Sequence, residues 1–146
     1  VQHPSYSYQS NADATQFFFE SIGRNGLILK AIILAPTINS SVYNLALGDY
    51  NQLSGELDDS VVSDNGDTGK IMATTFWVIN EFLTKYPDRL IIFSGNTPAR
   101  NRLYRMAINR GLSELAPLYS LFGFRNDAWE SFDISQQYEL YLIEKK

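Results

Sequence analysis

Residues 90–115, LIIFSGNTPARNRLYRMAINRGLSEL, decide how the chain folds. Leu90-Ile91-Ile92-Phe93 is an unbroken apolar run, the pattern of a short strand covered on both faces. Ser94-Gly95-Asn96-Thr97 breaks it. Thr97 is a good helix N-cap, and Pro98 suits the first helical position, where no intrahelical N–H partner is lost. Gly111 reads as the residue that stops this helix. On a helical wheel Ala99, Leu103, Met106 and Ala107 share the face expected to be buried, with Asn101, Arg105 and Asn109 opposite. A strand, a tight polar turn and an amphipathic helix place any chemistry at the turn.

Charge is the anomaly of this stretch. Arg100, Arg102 and Arg105 fall in the first two turns, where the helix dipole is positive and each cation costs about 0.3–1 kcal/mol. Two kinds of partner offset that cost: a phosphate or carboxylate bound at the helix start, or acidic side chains of the same chain. Thr97, Arg100 and Arg102, with Asn96, are therefore candidate ligand-binding residues. If the partner is internal, one of Arg100, Arg102 and Arg105 should contact Asp58, Asp59, Asp64 or Asp67.

Upstream, residues 16–22 and 27–34 read as strands, with Asn25-Gly26 between them as a strong hairpin signal. A loop through Pro36 leads to a third strand at residues 42–47, ended by Gly48-Asp49. The acidic, Gly-rich residues 50–69 read as a long connection, with Val61-Val62 as its anchor to the core. Its acids lack the order of a calcium loop, so no metal site is predicted. Residues 70–86 form the longest helical pattern, with Ile71, Met72, Phe76, Ile79, Leu83 and Tyr86 in one stripe and Lys70, Thr74, Glu81 and Thr84 opposite. Trp77 falls in that polar strip, which predicts a ring open to solvent or covered by a second copy of the chain. Downstream, residues 118–124 and 138–143 read as strands, with Trp129 and Phe132 in a connecting loop. The result is α+β: a mainly antiparallel mixed sheet with two main helices, in a single domain spanning residues 1–146.

Composition narrows the function. The formal net charge of −4 argues against unspecific binding to nucleic acid or an anionic membrane. Without cysteine there is no thiolate catalysis and no zinc–thiolate site. The lone histidine, His3, lies in an N-terminus expected to be mobile, so histidine-based triads are not expected. No apolar run approaches membrane-spanning length and no signal-peptide pattern opens the chain, which predicts a soluble cytoplasmic protein.

The stretches YNLALGDYN, DDSVVSDNGDTGK and FSGNTPARNRLYRM resemble a family of short, uncharacterised bacterial proteins common among Bacteroidetes. That resemblance implies no activity. The element order also resembles GNAT-type N-acetyltransferases, in which an antiparallel sheet is followed by a helix, a strand, a helix and two final strands. There a glycine-rich turn before the central helix gives backbone N–H groups to the coenzyme A pyrophosphate. The corresponding turn here is Asn65-Gly66-Asp67-Thr68-Gly69-Lys70, which keeps two glycines, lacks the leading Arg or Gln, and adds acids. The family's N-x-x-A-x-x-L-Y pattern is similar to Asn96, Ala99, Leu103 and Tyr104, with one extra residue between Ala99 and Leu103. The resemblance implies acetyl-CoA as cofactor, with Asn65, Gly66, Gly69 and Lys70 at its phosphates and Tyr104 as the acid that protonates the leaving thiolate.

Two functions follow as expectations. One is a binding or interaction protein on an acetyltransferase-like scaffold, taking a small anionic ligand or a second copy of itself. The other is an acyl-CoA-dependent N-acyltransferase.

Overall fold

A computed structural model describes residues 4–59, 65–95 and 97–146. Its elements, in chain order, are β1 (Gln9–Ser10), β2 (Gln16–Gly23), β3 (Gly26–Pro36), β4 (Val42–Asn51), β5 (Glu56–Asp58), α1 (Thr68–Lys85), β6 (Leu90–Phe93), α2 (Pro98–Leu115), β7 (Tyr119–Arg125), β8 (Ala128–Ser131) and β9 (Leu140–Lys145). One nine-stranded sheet runs β1-β2-β3-β4-β6-β9-β7-β8, with β5 added to β4. The β4/β6 pair is parallel and the other pairs are antiparallel. The α+β class and the mainly antiparallel mixed sheet are as the sequence predicts.

The β2–β3 hairpin forms, with its turn one residue earlier than expected. Gly23 pairs with Gly26, Arg24 and Asn25 make the turn, and Gly26 carries the positive φ of 84° that a glycine tolerates without strain. A second hairpin, absent from the sequence reading, joins β7 to β8. Asn126 and Asp127 both have positive φ, at 52° and 59°, the pair of values a two-residue I′ turn requires. Trp129 therefore sits on a strand rather than in a loop, its ring 5.2 Å from that of Phe124.

Other boundaries move. β4 does not stop at Gly48-Asp49 but continues to Asn51, where it turns back into β5, so part of the acidic connection is sheet. β9 starts at Leu140, two residues after the expected Tyr138. In α2, Gly111 lies inside the helix, which runs on to Leu115 because burial of that leucine offsets the roughly 1 kcal/mol that a mid-helix glycine costs. The buried face of α2 is Tyr104, Ile108, Gly111 and Leu115, rotated from the Ala99–Leu103–Met106–Ala107 face of the wheel. Tyr104 and Ile108 bury far more apolar area than two alanines, so packing selects their side of the helix.

Both helices cover the same face of the sheet. Phe82 of α1 packs on Tyr43 of β4, and Tyr104 of α2 packs on Phe93 of β6. Tyr43 is level with Ile91, and Phe93 lies two residues further along on the same side. Right-handed crossovers dictate this, since β4, β6 and β7 run in one direction. On the opposite face Ile33, Ile92, Leu142 and Phe122 stay half-buried, and no helix covers them among the described residues. β6 is thus covered on one face, not two.

Residues 4–10 pack along β2 and α1. Tyr6 stacks on Phe19 and Tyr8 meets Phe17 edge-on, while the Tyr8 hydroxyl donates to Glu81 at 3.0 Å. Thr74, placed by the wheel in the exposed strip, is buried beneath this segment and accepts from the Tyr6 N–H at 2.8 Å. Trp77, in the same strip, is 41% exposed, as the wheel predicts. His3 and Val61-Val62 lie outside the described residues.

Candidate functional site

The site begins where β4 and β6 part. They pair over residues 42–44 and 90–92, beyond which β5 takes the free edge of β4 from Asp49 onward. The chain leaves β6 through Ser94-Gly95 and enters α2 at Thr97, whose hydroxyl accepts from the Arg100 N–H at 3.1 Å, as an N-cap should. Arg100 turns inward. Its guanidinium donates to the main-chain oxygens of Leu47, at 3.0 Å, and of Asp59, filling the gap between the diverging strands. The Asp59 contact is made to a main-chain oxygen, where the charge anomaly calls for an acidic side chain. One turn on, Tyr104 is 2% exposed, and burial pushes its phenol up to about 12, with the Arg100 charge pulling the other way. The void bounded by Arg100, Tyr104, Asp59 and Ser94 holds only about 40 Å³.

Arg102 and Arg105 behave differently. With Gly95, Thr97, Pro98 and Ala99 they line an open cleft of about 580 Å³, closed on its far side by Tyr138, Glu139 and Tyr141. Asn101 braces the floor, accepting from the Gly95 N–H at 3.1 Å and donating to the Tyr138 carbonyl. Burial pushes Tyr141 up to about 12, against the pull of the Arg105 charge, so its ring is a neutral wall.

The start of α1 is built for another purpose. Asn65 is buried, its carbonyl accepting from the Asn25 N–H at 2.6 Å and its amide donating to Ser21 and to the Gly26 carbonyl. Gly23 permits this approach, because a methyl group there would lie 1.8 Å from the main-chain oxygen of Asn65. Asp67 accepts from the Tyr6 and Ser21 hydroxyls, each at 2.5 Å. Gly66 lies against the Arg24 side chain. Gly69 and Lys70 instead border a groove of about 500 Å³ between the two helices, where Arg110 also lies.

The predicted residues therefore divide among separate places. Arg100 and Tyr104 meet at the strand gap, Thr97 and Arg102 at the cleft, and Gly69 and Lys70 at the groove, while Asn65 and Gly66 dock the β2–β3 hairpin. Asn96 and Asp64 lie outside the described residues. Sequence reasoning missed Tyr138 and Tyr141, whose place opposite α2 depends on β9 lying between β6 and β7. Among the described residues no three His, Cys, Asp or Glu side chains converge to hold a metal, and no helix is long and apolar enough to cross a membrane.

A family model described as a family of unknown function, DUF6934, matches residues 2–146. The chain belongs to that family. No curated protein and no solved structure gives a match.

Proposed function

We propose that the protein is a binding protein, on an acetyltransferase-like scaffold, that takes a small anionic ligand in the cleft at the start of α2. The observation that carries this reading is the parting of the three arginines. Arg100 is engaged with main-chain oxygens, whereas Arg102 and Arg105 line an open cleft beside the N-cap. An anion there gains from both guanidinium groups and from the helix dipole, and so offsets the cost of placing cations in these turns. Glu139 on the far wall favours a ligand whose charge sits toward α2.

The test is isothermal titration of the full chain with phosphate, simple carboxylates and nucleotides, repeated on Arg102→Ala/Arg105→Ala. The native chain should bind at least one of these anions, and the double variant should weaken it at least tenfold while melting within a few degrees of wild type. Equal affinity in the two proteins, or no anion bound, overturns the reading.

A second reading, an acyl-CoA-dependent N-acyltransferase, draws support from the order of strands, helix, strand, helix and strands, and from Tyr104 beside the strand gap. In that chemistry an amine attacks the thioester carbonyl, the C–S bond breaks, the departing thiolate takes a proton from the Tyr104 phenol, and the proton released by the attacking nitrogen restores the phenol. A void of about 40 Å³ admits no thioester, so this reading requires Arg100 to swing out. Acetyl-CoA binding that Arg100→Ala strengthens and Tyr104→Phe leaves catalytically dead would favour it over the first.

A further inference from the structure

The groove between α1 and α2 lies apart from the cleft and the strand gap, although it holds Gly69 and Lys70, which the acyltransferase resemblance places at the coenzyme A phosphates. Met72, Ala73 and Phe76 of α1 and Leu103, Met106 and Ala107 of α2 line it, and Met106 is 42% exposed. In a chain of net charge −4, the ionisable side chains lining this groove among the described residues are the cations Lys70 and Arg110. Neither is tied to a carboxylate among the described residues, and Lys70 instead rests over the Tyr6 ring at 4.2 Å. A methyl group on Gly69, which adjoins Lys70, would have the Arg110 Nη1 as its neighbour at 3.9 Å.

Glycine at two positions on the groove wall has no local explanation. Gly69 and Gly111 are both helical, neither has a positive φ, and a methyl on Gly111 would make only ordinary contact with the Leu115 side chain, at 3.6 Å. Alanine would strengthen either helix. What glycine supplies there is room inside the groove.

We propose that this groove binds a medium-chain acyl carboxylate, its chain lying between the helices and its carboxylate at Lys70 and Arg110. A groove lined by apolar side chains together with two cations matches a single-tailed anion. A volume of about 500 Å³ falls in the range of small-ligand sites.

Isothermal titration of the full chain with acetate, octanoate and decanoate, below micellar concentrations, tests the proposal. Decyl phosphate and decyltrimethylammonium serve as comparisons. Decanoate should bind at one site, and each added methylene should tighten binding about fourfold. Acetate and the cationic amphiphile should not compete. Lys70→Met/Arg110→Met should weaken decanoate at least tenfold. Gly111→Ala should raise the melting temperature while lowering decanoate affinity, an opposition that misfolding cannot mimic. Arg102→Ala/Arg105→Ala should leave decanoate binding unchanged, which separates failure here from failure at the cleft. Absence of decanoate binding, equal binding of the cationic amphiphile, or unchanged affinity in both the Lys70/Arg110 and Gly111 variants overturns the proposal. Decyl phosphate binding more than tenfold tighter than decanoate overturns the carboxylate assignment.

Discussion

Asn65 shows how one side chain can be read in two ways. As part of a glycine-rich turn it suggests a phosphate cradle, yet its amide is engaged with Ser21, Asn25 and Gly26, residues 39 to 44 positions away in sequence. Replacing it by alanine removes three hydrogen bonds, to the part-buried Asn25 N–H and Gly26 carbonyl and to the buried Ser21 hydroxyl, each worth about 0.5–1.5 kcal/mol. Asn65→Ala should therefore lower unfolding free energy by about 2–4 kcal/mol in urea titration. A change below about 1 kcal/mol would mean that water replaces the amide freely. Tyr104 supports a different measurement. Its phenol titrates near 10 when unfolded and near 12 when folded, so between those values the unfolded state has given up a proton that the native state keeps. The stabilisation is complete below pH 10 and is lost as pH rises toward 12, amounting to about 2–3 kcal/mol for this one group. Tyr104→Phe should flatten the fall in stability between pH 10 and 12, leaving the smaller slope due to Tyr141 and Tyr8, which burial also raises to about 12. An unchanged slope would show that the ring opens to solvent before the protein unfolds.

At the scale of elements, the second hairpin and the last strand are locked together through a glycine. Tyr138 lies flat on Gly123 of β7, where a methyl group would sit 2.2 Å from a ring carbon. The ring cannot swing aside, since its hydroxyl donates to Glu130 at 2.9 Å and accepts from the Asp133 N–H at 2.9 Å. Gly123→Ala should lower the thermal midpoint by several degrees, in line with the roughly 1–3 kcal/mol that overpacking costs. A wild-type melt would show that the strand end yields. The β7–β8 turn was legible in principle, because Asn and Asp are the residues other than glycine that best tolerate positive φ. The rotation of α2 was not legible from a wheel that ranks residues by polarity. It follows from the volumes of Tyr104 and Ile108 against Phe93, which lies in another element.

For the molecule as a whole, the sequence determined what depends on neighbours in the chain. The β2–β3 hairpin, the Thr97 cap, the buried stripe of α1 and the order of strands and helices all follow from turn chemistry, capping and periodicity, which act over a few residues. Only the tertiary structure decided what becomes of the charges. The same three arginines oppose one helix dipole, yet Arg100 finds carbonyls 53 and 41 residues away while Arg102 and Arg105 open onto a cleft walled by the β9 segment. Insertion of β9 between β6 and β7 builds that wall, and the right-handed crossovers that set α1 beside α2 create the groove between them. Local preference is a sum over adjacent residues. The partner of a side chain is fixed by the path of the whole sheet, and here that path sets which cations are neutralised within the protein and which line open surfaces.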